Sequence, residues 1–539
     1  MTAPALAAPV AYERYLFPGW SLSLAAIFGG MAISFALFGL FYPFWWFSDQ
    51  DLILAYQGLL LNAGLPQEYF DHTGYLYALM IAGWYQLLHW LGLLPLNALT
   101  KLPPPTDVPA FDAAWQQLIV AGRVLSLLLS GGLMWLYATL VRRLVGDWKV
   151  AVLAGMALAL SSALIMQMRM MRTELLSGGL AVVALFLLIF AARGTRRRWQ
   201  RPVLLALAAI LATLSVITKV QAILLVMALP VIAITFGRPD TEDAAPARLP
   251  PWIAAAWVAI ALLAAVPASG LLLAGFAGFP GTLFAYSRLG FVPDGTYQAA
   301  IALWIVVAMV VHCRLWKASP SECAAGMAAV LLGISLGLLS LLVRFHEQNL
   351  IAITHPIEHM FYFATWSRPA LAQQPLILSE TLFETLAWGP VRALLAHDHE
   401  PVFLLQLFAV AGAVVAWRRG DRQLPLQALT LVVVVLGIDT VFSLRSIKTE
   451  YFIYTDPLLI LAAALIAVRF PEWQAWAWRR KATVVVVALC ILWGNHLPVQ
   501  QLLLATHDPQ LACRWLPTYV SRIQPFPYCV DAPHTIGRP

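Results

Sequence analysis

Apolar runs of about 17–25 residues recur along this chain, separated by short stretches where Arg, Lys, Gly and Pro gather. A helix needs roughly 20 apolar residues to cross the hydrocarbon core of a bilayer, so each run reads as a spanning helix. The predicted spans are 20–46, 117–140, 150–168, 174–192, 202–218, 220–236, 252–275, 298–313, 324–343, 402–417, 425–443, 451–468 and 482–497, about 13 helices. The alternating ten-residue pattern of a membrane β-barrel does not occur. The expected fold is therefore an all-α polytopic membrane protein, with a transmembrane domain over 1–497 and a C-terminal tail over 498–539. No solenoid repeat is present. The first run is too long for the apolar core of a cleavable signal peptide and reads as an uncleaved anchor.

Charge orients these helices. The loops RRLVGDWK (142–149), RGTRRRWQR (193–201), CRLWK (313–317), RRGDR (418–422) and WRRK (478–481) are basic. Assigned to the cytoplasm by the positive-inside rule, they put the N-terminus inside and the C-terminus outside. In a bacterium the membrane would be the inner one and the outer face periplasmic. Three outer segments are then large: 47–116, 344–401 and the tail. An apolar stretch at 75–94 would reverse the orientation if it spanned. It is predicted to lie in the interface instead, anchored by its Trp and Tyr residues.

Composition agrees. Hydrophobic residues make up 61% and charged residues 11% of the 539, against roughly 25% charged in soluble domains. The net charge of +7 sits mainly in the short inner loops, so nucleic acid is not an expected partner. Of five cysteines, Cys513 and Cys529 lie in the outer tail, sixteen apart, where a disulfide is expected and two free thiols are the alternative.

The chemistry-bearing residues gather at the predicted outer ends. Asp49 and Asp51 follow the first span, and a carboxylate beside hydrocarbon is costly enough to mark a candidate site. Cations stand where the orientation disfavours them: Arg123, Arg169, Arg172, Lys219, Arg288, Arg445 and Lys448. Such a set suits a shared anion, a phosphate above all. The alternatives are pairing with Asp49, Asp51, Glu174, Glu450 and Asp456, or general binding of anionic lipid.

In order, these segments resemble the GT-C superfamily of polyprenyl-phosphate-sugar-dependent glycosyltransferases, in particular its aminoarabinose transferase and protein O-mannosyltransferase branch. The family's acidic motif after helix one reads SDQD here, with Asp49 and Asp51. Its His-Pro-Pro element is replaced by Asp71-His72-Thr73-Gly74-Tyr75, so His72 aligns without the prolines. Arg123, the MRTE turn with Arg172 and Glu174, the Thr218-Lys219 pair, and LRSIKTEYFIYTDP with Arg445, Lys448, Tyr451, Tyr454 and Asp456 follow in the family's order. Residues 250–400 add nothing specific.

The resemblance implies a GT-C-like fold and an inverting transfer of sugar from a polyprenyl-phosphate donor to a lipid, glycan or protein acceptor at the periplasmic face. Asp49 would be the general base, with Asp51 or Glu174 orienting base or acceptor. Arg172, Lys219, Arg445 and Lys448 would hold the donor phosphate, with Arg123 and His72 as further candidates, and Tyr451 and Tyr454 would contact substrate. No cofactor is required in this branch, although some superfamily members use a divalent metal, for which Asp49 and Glu174 are the candidates here. His346, His355, His359, His397 and His399 in the second outer segment read as zinc ligands or as solvated side chains. A multi-span transporter or lipid-linked-sugar flippase is the competing class, but it should carry matching halves and charges at mid-membrane. Cysteines introduced at Gln67 and Gln510 are expected to label from outside intact spheroplasts and one at Gln200 is not; outside labelling at Gln200 would invert the orientation.

Overall fold

In a computed structural model of the chain, the described residues are 18–40, 42–45, 48–68, 74–193, 199–237, 249–278, 295–344, 347–356, 359–360, 402–443, 449–469, 483, 513, 520–523, 526–527 and 529. Secondary structure among them is entirely helical. The main helices are α1 (Pro18–Phe38), α2 (Ile53–Asn62), α3 (Tyr75–Trp90), α4 (Val108–Val145), α5 (Trp148–Ala159), α6 (Ser162–Gln167), α7 (Thr173–Ala192) and α8 (Gln200–Thr218). They continue with α9 (Ala222–Phe236), α10 (Pro251–Gly278), α11 (Thr296–Leu315), α12 (Pro320–Leu339), α13 (Val402–Arg418), α14 (Gln423–Ser443) and α15 (Asp456–Arg469). Among the described residues, 8 helices are long and apolar enough to cross a membrane: α1, α4, α7, α8, α10, α11, α12 and α14. Helices α5, α9 and α13 are apolar but shorter, and the predicted span 482–497 lies outside the described residues.

Three predicted boundaries differ for local reasons. The second span starts at Val108 rather than 117, because Asp107 caps it by accepting from the Ala110 N–H and Pro109 occupies its first turn. At 38 residues, α4 is about 57 Å long and outruns a bilayer core of roughly 30 Å. The third span is broken at Ser161, whose extended backbone and Oγ cap α6. The twelfth opens with a 3-10 turn, Thr449–Tyr454, before α15 begins at Asp456. The interfacial helix is present as α3. It buries Tyr75, Tyr77, Ile81 and Tyr85 against α2, α4 and α8 while leaving Trp90 79% exposed.

Helix α8 is the packing centre, with α7 on one side and α12 on another. Between α7 and α8, Ser177 Oγ donates to the Ser215 carbonyl at 2.9 Å and Ser215 Oγ donates back to the Ser177 carbonyl at 2.7 Å. On the α12 side Gly333-Ile334-Ser335-Leu336-Gly337 forms a Gly-x-x-x-Gly step, the small-residue pattern that lets helices touch in lipid. A Cβ at Gly333 would fall 2.3 Å from the Ala206 carbonyl oxygen, and one at Gly337 2.7 Å from Thr213 Cβ.

The bundle has two chemically different ends. At one, Arg193 donates to the Leu144 carbonyl, Arg201 stacks over Trp316, and Arg469 pairs with Asp421. The first two contacts bring three of the five basic loops together, 142–149, 193–201 and 313–317, and the third ties the loop 418–422 to the end of α15. The opposite end gathers the start of α7, the end of α8, the 3-10 turn before α15, and the segment 42–68. Part of the tail covers that segment: Val520, Ile523 and Phe526 pack with Phe44, Phe111 and Trp115, and a disulfide joins Cys513 to Cys529. Gln67 is buried, so exposed Gly64 is the better labelling position.

The close approach of α12 to α8 sets a stability expectation. Gly333→Val should destabilise the detergent-solubilised protein by about 1–3 kcal/mol, because a carbonyl oxygen cannot move aside. Gly270→Ala, where a Cβ meets no atom within 4 Å, should be neutral or slightly stabilising in the same thermal melts.

Candidate functional site

Four stretches far apart in sequence build the first half of the site. Ser48–Leu52 forms a single π-helical turn that leads into α2. It carries Asp51 to full burial, where Oδ2 accepts from Arg123 Nε at 2.8 Å and Oδ1 accepts from the Met171 N–H at 2.6 Å. Arg123, in the buried stripe of α4, also donates to the carbonyls of Tyr42 and Pro43 and lies 3.9 Å over the Tyr42 ring. Tyr42 in turn donates its hydroxyl to the Arg169 carbonyl at 2.7 Å. The entry to the first outer segment is thus tied to α4 and to the turn before α7.

The second half centres on Glu174 in the first turn of α7, where the helix dipole favours an acid. Its Oε1 lies 2.9 Å from Lys219 Nζ and 3.9 Å from Arg172 Nη1, while Arg172 Nη1 also meets Glu450 Oε1 at 3.0 Å. All four side chains are nearly buried, with 11% exposure at most. Glu450 is held by its backbone, whose carbonyl accepts from Gln167 Nε2 at 2.8 Å. Gly74 closes the site on the α8 side: its N–H donates to the Thr218 carbonyl, and its φ of 58° is the left-handed conformation glycine adopts most readily.

Of the sequence-derived site residues, Asp51, Arg123, Arg172, Glu174 and Lys219 therefore come together at one end of the bundle. Tyr454 is buried and donates to Ser177 Oγ at 3.1 Å, so it ties the 3-10 turn to α7. Tyr451, also buried, stacks on Phe442 with centroids 4.8 Å apart. The backbone of Asp49 belongs to the π-helical turn, but its side chain lies outside the described residues, as do His72, Arg288, Arg445 and Lys448. His346, His397 and His399 fall outside them as well. His355 Nδ1 is 3.0 Å from Thr354 Oγ1, and no grouping of three or more potential metal ligands occurs among the described residues. Asp456 begins α15, in a first turn where the dipole again favours a carboxylate.

Sequence reasoning missed Glu68 and Tyr42 and weighed Glu450 only as a counter-charge. Glu68 receives the Tyr56 hydroxyl at 2.7 Å, Ser521 Oγ at 3.0 Å and Arg522 Nε at 2.5 Å, joining the first outer segment to the tail. Burial, reinforced by the bond to Glu68, raises the pKa of the Tyr56 hydroxyl well above its ordinary value. No periodicity marks these residues, because apart from short-range bonds such as Tyr56–Glu68 the partners lie 74 to 454 positions away.

A cavity of about 370 Å³ adjoins the Lys219 end. Its walls come from α8, α9, α11 and α12, including Val216, Ile301, Ile334 and Leu338, and Val216 is three residues from Lys219. Comparison with protein-family models, curated proteins and solved structures finds no match.

The Asp51–Arg123 pair gives a test independent of activity. Removing one partner from a buried pair leaves an uncompensated charge, so Arg123→Met should cost about 3–5 kcal/mol of stability. The double variant Arg123→Met/Asp51→Asn should lose clearly less than the sum of the two single losses, read from denaturation midpoints in a double-mutant cycle.

Proposed function

We propose that this protein is an integral-membrane glycosyltransferase that moves a sugar from a polyprenyl-phosphate donor to an acceptor at the periplasmic face of the inner membrane. The observation that carries the reading is the gathering of Arg172, Glu174, Lys219 and Glu450, with the Asp51–Arg123 pair, beside an apolar cavity. A polyprenyl phosphate is an apolar chain ending in an anion, and Val216 and Lys219 on one helix offer a surface for each. The ordered sequence resemblance supplies the reaction type.

The acceptor hydroxyl oxygen attacks the anomeric carbon as the bond from that carbon to the phosphate oxygen breaks. The electron pair of the broken bond stays with the phosphate, and the hydroxyl proton passes to Asp49. Because the leaving phosphate is stable as an anion, no general acid is needed, and cations that meet its growing charge lower the barrier. Arg172 and Lys219 take that role, with Arg445 and Lys448 as the further candidates that the sequence resemblance names. Glu174 and Glu450 hold the first two cations until the donor arrives. Asp51 cannot serve as base, because Arg123 and the Met171 N–H occupy its oxygens in a site with no exposure. It positions the turn that bears Asp49.

Purified protein is expected to transfer label from a radiolabelled polyprenyl-phosphate sugar to an acceptor in a membrane extract. Asp49→Asn should retain donor binding while turnover falls by roughly 10²–10⁴, and Lys219→Ala should weaken donor binding by roughly tenfold or more. Donor moved across the bilayer unchanged, with no transfer, would replace this reading by a flippase.

A further inference from the structure

The buried cations at the site end are not equivalent. Arg123, Arg172 and Lys219 each have a carboxylate within 4 Å. Arg169 is 0% exposed, yet no carboxylate of the described residues pairs with it. Its Nη2 donates to Ser34 Oγ at 2.6 Å, its Nη1 reaches the Ile165 carbonyl at 3.3 Å, and its Nε has no hydrogen-bond partner. A guanidinium held by one hydroxyl and one carbonyl, with no counter-charge among the described residues, is costly next to hydrocarbon.

Beside it lies a second cavity, of about 440 Å³, lined by helices other than those of the first. It runs between α1 and α5 from Ser23 to Ser34, with walls that include Gly30, Met31, Val152 and Met156. Eleven residues separate Ser23 from Ser34, a length of about 17 Å at 1.5 Å per residue. That is close to half of the roughly 30 Å hydrocarbon core, the depth of one leaflet. The groove ends at Ser34, the hydroxyl that Arg169 holds, and Met168 beside Arg169 completes its lining. Gly30, whose side has no Cβ and no atom within 4 Å of where one would be, lines it from α1.

We propose that the α1–α5 groove binds an anionic membrane phospholipid, with an acyl chain along Gly30 and Met31 and its phosphate at Ser34, drawn there by the Arg169 charge that lies directly behind that hydroxyl. Charge complementarity selects this occupant: the walls accept any apolar chain, but only an anion supplies what Arg169 lacks. The proposal does not rest on the sugar-transfer reading.

Native mass spectrometry of the detergent-solubilised full chain, offered equal amounts of chain-matched phosphatidylglycerol and phosphatidylcholine, tests it. The wild type should retain the anionic lipid at least about tenfold over the neutral one, the scale of a charge-assisted contact. Arg169→Gln should reduce that preference to near unity. Gly30→Phe, at a position where a Cβ meets no atom within 4 Å, should fill the groove and lose both lipids while its melting temperature in lipid-free detergent stays the same. Equal retention of the two lipids by the wild type, or undiminished retention by Gly30→Phe, overturns the proposal. So does stabilisation by inorganic phosphate that matches the lipid's and survives Gly30→Phe, since Arg169 would then bind a free anion.

Discussion

The Asp51–Arg123 ion pair is the constraint on which the site end depends. A buried pair contributes little net stability, because the desolvation of both ions offsets their attraction. Its leverage is geometric. Asp51 satisfies Arg123 from α4 and the Met171 N–H from the turn before α7, while Arg123 holds the Tyr42 and Pro43 carbonyls. Shifting the loop by one residue would leave a charge unmatched in an apolar interior. The pair therefore selects one register for the chain leaving α1, and that register places the turn bearing Asp49 next to α7.

Glu174 does for the core what Asp51 does for the loop. It joins the end of α8 to the start of α7 through Lys219, and Arg172 extends the chain of charges to Glu450. Side-chain charge thus alternates in sign across three elements. Neutral links reinforce the same junctions: Tyr454 to Ser177, Ser177 to Ser215, and Gln167 to the Glu450 carbonyl. Each of these cations is thus fixed by its neighbours in a buried site, without the rotamer freedom of a lysine on a surface.

The helical, multi-span architecture was legible because apolar run length and basic loops are local signals, readable without knowing what packs where. So were Asp51, Arg123, Arg172, Glu174 and Lys219 as a set, since each is a charge where hydrocarbon disfavours it. Their pairing was not legible. Whether Lys219 faces Glu174 or Asp51 depends on how α7 and α8 rotate about their axes, and the serine pair and the glycine step set that rotation. The early start of α4 was readable in principle from Asp107 and Pro109, but the apolar pattern begins later and drew the boundary to 117. Glu68 and Tyr42 carried no signal, because a polar residue in a loop gains its role only from its partner.

Two clamps of different kind hold the same region. Inside, α8 is pinned on one side by the Ser177–Ser215 bonds and on another by the approach of Gly333 and Gly337, so Lys219 at its end has little freedom. Outside, the tail reaches the first outer segment through Glu68, which takes bonds from Tyr56, Ser521 and Arg522, and through the packing of Phe526 on Phe44 and Phe111. The inner clamp is buried and closely packed, so solvent cannot compete with it. The outer one rests on exposed Arg522 and partly exposed Glu68, where an ion pair is worth little on its own. Apolar cover therefore does most of the holding there, while the Cys513–Cys529 bridge closes the tail on itself. A segment held by a fully buried pair at Asp51 and by a partly exposed one at Glu68 therefore has its register set at the Asp51 edge, with Glu68 adding contacts to a register already chosen.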